Sequence, residues 1–163
     1  MISHEAGEVR ALAREWFHAA RGGQIGGGQF TSFISVWIAF NALYALRFDD
    51  RAGDKAQVQA FARWDRALAC HNRFLTISDY PHSIAVIAEK GVYNYRMNQV
   101  IAITDPSDLG QVLGAVYQVR CNLFHGRKSA GVMRDHGLIE AGRLIIYRFV
   151  GDMVDDDAVW EGI

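Results

Sequence analysis

Two residues in the last third of the chain, Arg120 and His125, have the types and spacing for phosphate chemistry. Arginine is always charged and offers bidentate N–H donors to a phosphoryl group. Histidine moves protons near neutral pH. Both stand in the stretch Val-Arg-Cys-Asn-Leu-Phe-His-Gly, residues 119–126, and a basic loop with Arg127 and Lys128 follows. Those two cations are placed to hold a polyanionic substrate.

The position of Arg120 is itself a signal. Leu109, Val112, Leu113, Val116 and Tyr117 follow helical spacing on one apolar stripe. At about 100° per residue, Arg120 continues that stripe between Val116 and Leu123. An unpaired guanidinium on an apolar face is costly. Either the helix meets a polar cleft or a partner at this end, or an acid waits there. Gly126, just past His125, is the residue type that most often ends a helix by turning left-handed. On a fully helical path Arg120 and His125 leave the axis about 140° apart, so a C-terminal break would help them converge. Spacing alone favours a plainer account, a paired arginine and a histidine that merely stands near a helix end.

The segment Arg120-Cys121-Asn122-Leu123-Phe124-His125-Gly126, closing one helix and followed by another, resembles the signature of the HEPN superfamily. These are all-helical domains whose R-x4-6-H motif commonly marks a metal-independent ribonuclease. A second run, Phe33 to Tyr44, resembles the central helix of the uncharacterised bacterial branch. The chain departs from the family at one point: Asn, Asp or His usually follows the arginine directly, whereas here Cys121 does and Asn122 comes one residue later.

The resemblance implies an endoribonuclease in which a ribose 2′-OH attacks the adjacent phosphorus, leaving a 2′,3′-cyclic phosphate and a 5′-OH. His125 would be general acid or base, Arg120 would stabilise charge on the phosphorane, and Asn122 would position the phosphate or the imidazole. It further implies no metal and no cofactor, RNA as substrate, and a composite site in a homodimer whose motif helices meet. In the toxin-like branch it implies a nucleotidyltransferase-type antitoxin as partner. The alternative is a non-catalytic helical dimer that holds RNA, a nucleotide or a partner protein, which Cys121 in the polar position favours. A third reading is an assembly subunit whose Arg120 pairs with an acid across an interface.

Composition agrees with one globular domain over residues 1–163: 50% hydrophobic and 21% charged residues argue against disorder. The two cysteines, Cys70 and Cys121, make neither a metal spacing nor a disulfide framework, so a reducing cytoplasm is expected. No Asp, Glu and His cluster stands at metal-ligand spacing. No leader-like apolar segment opens the chain. Phe33 to Leu46 is too short to span a membrane and reads as a core helix. Net charge is −1, which exerts no general pull on nucleic acid. Yet residues 118–150 hold six cations against two acids, and an acidic tail follows with Asp152, Asp155, Asp156, Asp157 and Glu161.

The elements that must position these residues are helices. A first helix over about Glu5–Arg21 carries the stripe Val9, Leu12, Ala13, Trp16, Phe17 and Ala20. A glycine-rich stretch, Gly22 to Gly28, reads as a loop. A second helix, about Gln29–Phe48, is apolar nearly all round, and Asn41 within it needs hydrogen-bond partners if buried. Asp54 and Gln57 suggest a capping box opening a third helix through Phe61, Leu68 and Leu75. Ser83 to Glu89 forms a short helix ended by Gly91; Tyr93 and Tyr95 beside Arg96 could stack on bases, but core packing of these aromatics is the favoured reading. Asp105 caps the motif helix with Pro106 in its first turn. Asp135 caps a last helix through Leu138, Ile145 and Phe149, where Gly142 admits a close neighbour. No strand alternation and no repeat is visible. The expected fold is therefore all-α, a compact HEPN-like bundle of about five helices.

Overall fold

A computed structural model of the chain describes residues 1–22, 28–77, 79–125 and 133–163. Helix α2 (Gly28–Ala45) buries Phe33, Val36, Trp37, Ala39, Phe40, Leu43 and Tyr44 on one side, and Ile34, Ile38 and Ala45 on the other are half-buried. A helix without a polar face must be enclosed. Helices α1 (His4–Gly22) and α7 (Met133–Met153) pack directly against it. Helix α3 (Asp54–Ala62) packs on α6 (Leu109–Phe124), and α5 (Asp79–Lys90) packs on α7. Helix α4 (Asp65–Phe74) and a short C-terminal α8 (Asp157–Trp160) complete the helical set. Edge-to-face rings tie four of these together: Tyr44 to Phe40, Phe40 to Phe61, Phe61 to Phe149 and Phe149 to Phe74, with centroids 5.0 to 5.7 Å apart. A Cβ at Gly142 would lie 3.0 Å from the Phe33 ring and 3.5 Å from Val116, so α2, α6 and α7 close on the missing side chain. No helix among the described residues is long and apolar enough to cross a membrane.

The chain is thus mostly helical, as expected, but its parts differ in several places. Eight α-helices are described where about five were expected. One reason is a break in the third helix. Trp64 is extended, at φ −72° and ψ 126°, which ends α3 and starts α4 on Asp65. Its ring lies against Phe48 and Phe61 with the Arg47 guanidinium 4.6 Å above it. The break rotates α4, so Ala67, Cys70, His71 and Phe74 face the core in place of the Leu68–Leu75 stripe.

A small antiparallel hairpin, β1 (Val92–Asn94) and β2 (Gln99–Ile101), stands where no strand was expected. Three-residue strands are too short to show alternation. The turn is made by Asn94, whose Oδ1 accepts from the backbone N–H groups of Arg96 and Met97, and by Asn98 at φ 53°. Tyr95 is exposed on it rather than packed in the core.

Three caps also move. Asp105 spends its carboxylate on Ser107, and Asp108 becomes the N-cap of α6, accepting from the Gln111 N–H at 3.1 Å. Asp54 caps nothing: Gly53, at φ 83°, is the N-cap of α3, while Gln57 donates to the Phe48 carbonyl at 2.8 Å. Helix α7 already includes Met133, so Asp135 lies inside its first turn.

In α1 the core face runs through Ala6, Arg10, Ala13 and Phe17, and Leu12 is exposed. Arg10 is buried because the C-terminal segment lies over it, as its bonds to Val154, Asp155 and Asp157 record. The expected glycine-rich loop falls largely on residues 23–27, outside the described residues.

Candidate functional site

Arg120 leaves the C-terminal half of α6 toward α2 and α3. Its guanidinium carbon lies 4.6 Å from the ring centre of Phe124 and 5.8 Å from those of Trp37 and Tyr117. The acid that an arginine on this face calls for is Asp54, the first residue of α3. The Arg120 guanidinium nitrogen lies 3.6 Å from Asp54 Oδ2, and the two side chains are 27% and 28% exposed. That separation is an ion pair without a hydrogen bond. Among the described residues, neither Arg120 Nε nor Asp54 Oδ2, both buried, has a hydrogen-bond partner.

The other carboxylate oxygen of Asp54 is firmly held. The Tyr44 hydroxyl donates to Oδ1 at 2.5 Å, and Asn41 Nδ2 reaches it at 3.4 Å while donating to Tyr44 Oη at 2.9 Å. These are the partners that Asn41 needs on its apolar helix. Burial, reinforced by Asp54, holds the Tyr44 phenol far above its usual pKa, so it stays a donor. Tyr117, on the other flank of Arg120, is pushed up to about 12 by burial and by Cys121.

His125 is the C-cap of α6, at φ −91° and ψ 11°, with its N–H on the Cys121 carbonyl at 3.1 Å and its side chain exposed. The backbone therefore stays near-helical up to His125. No break ahead of this residue swings it toward Arg120, and the two side chains depart roughly 140° apart and about 7.5 Å along the axis. Among the described residues no hydrogen bond joins them.

Asn122 is buried and bonded at both ends of its amide: Gln118 Nε2 donates to its Oδ1, and its Nδ2 donates to the Tyr93 carbonyl, both at 2.9 Å. It locks β1 to α6. Arg127, Lys128 and the helix-ending Gly126 lie outside the described residues.

Two cations of the charge pattern around the motif are held in close pairs. Arg143 binds Glu140 at 2.6 Å and Arg148 binds Asp79 at 2.5 Å. The acidic tail is likewise engaged: Asp152 with Arg73, Asp155 with Arg14, Asp156 with Arg66 and Asp157 with Arg10. Cys70 is buried and donates to Asp152 Oδ2 at 3.0 Å, and desolvation and that carboxylate push its thiol up to about 12. Such a thiol is no nucleophile at neutral pH.

Sequence reasoning missed Asp54 and Tyr44 as neighbours of Arg120. The signal lay in two unmet needs, an arginine on an apolar stripe and Asn41 on an apolar helix. Both are met by Asp54, which local pattern assigned to a helix cap. Comparison with protein-family models, with curated proteins and with solved structures finds no match for the chain.

Proposed function

We propose that this chain is a metal-independent endoribonuclease of HEPN type, acting through Arg120 and His125. One contrast carries the reading. The structural arginines here make short hydrogen bonds, as Arg10 does at 2.5 to 3.0 Å to Asp157, Asp155 and Val154. Arg120 makes none among the described residues; rings and one loose ion pair orient it while its side chain stays partly exposed. A guanidinium held but unspent, five residues from an exposed imidazole, suits a site that receives a phosphate.

In this reading the ribose 2′-OH attacks the adjacent phosphorus and the bond to the 5′-oxygen breaks. His125 takes the 2′-OH proton or supplies one to the leaving oxygen, and Arg120 meets the charge on the phosphorane. The 140° offset within one chain is resolved by a two-fold homodimer through α6, in which two Arg–His pairs share one cleft. The engaged amide of Asn122 assigns that residue to holding the hairpin, so we give it no part in the chemistry. A toxin whose antitoxin is a nucleotidyltransferase-type protein is the version the resemblance supports.

The test is incubation of pure protein with mixed RNA, with and without chelator. Fragments ending in 2′,3′-cyclic phosphate in both samples are expected. Intact RNA, or cleavage strictly dependent on added magnesium or zinc, overturns the reading. One observation favours a second reading, a helical dimer that binds RNA, a nucleotide or a partner protein without cutting: Cys121 takes the usual polar position, and the nearby Asn122 is already engaged. Retention of intact RNA on a gel shift would support it.

A further inference from the structure

We propose that Asp54, pinned by Tyr44, is the positioning residue that aims the Arg120 guanidinium at a phosphate. The inference rests on the ribonuclease reading of Arg120. Its first support is the local use that Asp54 forgoes. An aspartate beginning a helix ordinarily turns its carboxylate onto backbone N–H groups of the first turn. Here the N-cap is Gly53, which provides no side-chain cap, and the Asp54 carboxylate faces α2 and α6 instead.

The second support is the division of labour between its two oxygens. Oδ1 takes the Tyr44 hydroxyl at 2.5 Å, with Asn41 behind that hydroxyl at 2.9 Å, so the carboxylate plane is fixed from α2. Oδ2 faces Arg120 at 3.6 Å and has no hydrogen-bond partner among the described residues. At that separation the carboxylate attracts and orients the guanidinium without using up its N–H donors, as a bidentate pair would. Phe124, 4.6 Å away, constrains the same group from a ring face.

The experiment measures cleavage of a defined RNA under single-turnover conditions. Asp54→Asn keeps the shape and can still accept from Tyr44, but it turns an amide N–H₂ or an uncharged oxygen toward Arg120. The expected loss is about 10- to 100-fold in kcat, because a misaimed charge stabiliser costs about that much. KM should change by less than about threefold, since phosphate attraction itself persists. Tyr44→Phe removes only the pinning hydroxyl and should lower kcat in the same direction; it carries the test if Asp54→Asn does not fold.

The separating measurement is a double-mutant cycle. In an Arg120→Lys background, Asp54→Asn should lose most of its effect, because there is no fork left to aim. Wild-type kcat in Asp54→Asn, or in Tyr44→Phe where that variant carries the test, overturns the inference and leaves the ribonuclease reading standing. So does an equal loss in both backgrounds. A wild-type protein that cuts no RNA removes the reading and this inference together.

Discussion

A guanidinium reports its role by what it touches. Arg10 and Arg120 both interrupt apolar helix faces, yet Arg10 makes three hydrogen bonds and Arg120 none among the described residues. This difference underlies the expected outcome of two substitutions. His125→Ala should leave folding unchanged, because the side chain is exposed at a helix cap. RNA cleavage should fall by on the order of 10²–10⁴-fold with little change in RNA affinity. Arg120→Ala should weaken both cleavage and binding, since it removes a phosphate contact together with charge stabilisation. Cleavage kinetics and a gel shift read the pair; a folded His125→Ala protein that cuts at the wild-type rate ends the catalytic assignment.

Among the elements, the stripe of α6 and the nearly all-apolar α2 were legible because burial writes its pattern of apolar residues into the sequence. The break at Trp64 was not, since only its packing on Phe48, Phe61 and Arg47 makes an extended residue worth its interruption of the helix. That break also turns His71 into the core face of α4, where it is buried. Its Nδ1 meets the Tyr80 hydroxyl at 2.8 Å and its Nε2 the Pro106 carbonyl at 3.1 Å, tying α4 to α5 and to the approach to α6. A carbonyl only accepts, so Nε2 carries the proton and Nδ1 accepts from Tyr80. Desolvation lowers the His71 pKa below its usual 6.5, although the Pro106 contact opposes this. In the window below that value the unfolded chain binds the extra proton first. The stability that neutral His71 contributes is therefore full above about pH 6.5 and is lost as pH falls toward the folded value. Urea unfolding should show less stability at about pH 5.5 than at about pH 7.5, with the difference reduced in His71→Gln. An identical drop in that variant would assign the effect to other groups.

For the whole molecule, the long-range pairing joins the C-terminal stretch to α1 and α4. Arg10 donates to Val154, Asp155 and Asp157, Arg14 pairs with Asp155, and Arg66 with Asp156. The acids that read as a charged tail are thus the closing contacts of the fold. Arg10→Ala leaves the Asp155 carbonyl without that donor, while the Val154 carbonyl keeps the Trp160 indole at 3.1 Å. The expected loss is about 0.5–1.5 kcal/mol for each hydrogen bond removed, with little from the exposed Asp157 carboxylate. Unfolding at the wild-type urea midpoint would count against this account. At the same scale, the proposed two-fold assembly through α6 should appear in light scattering as a dimer at tens of micromolar, roughly where stable interfaces persist. Monomer alone at that concentration removes the shared cleft.

What the sequence by itself determined is what short-range physics writes into it. The helical class follows from periodicity, the burial of α2 from the lack of any polar face, and the need of Arg120 for a polar cleft, a partner or an acid from the cost of a buried charge. Only the tertiary structure decided which acid answers. Asp54 has the local grammar of a cap, and Asn122 that of a motif residue. Yet the first is drawn to Tyr44 and Arg120, and the second is spent on Gln118 and the Tyr93 carbonyl. Side-chain polar groups bond across space to whatever the packed helices bring within about 3 Å, and that distance is set by the fold rather than by neighbours in the chain.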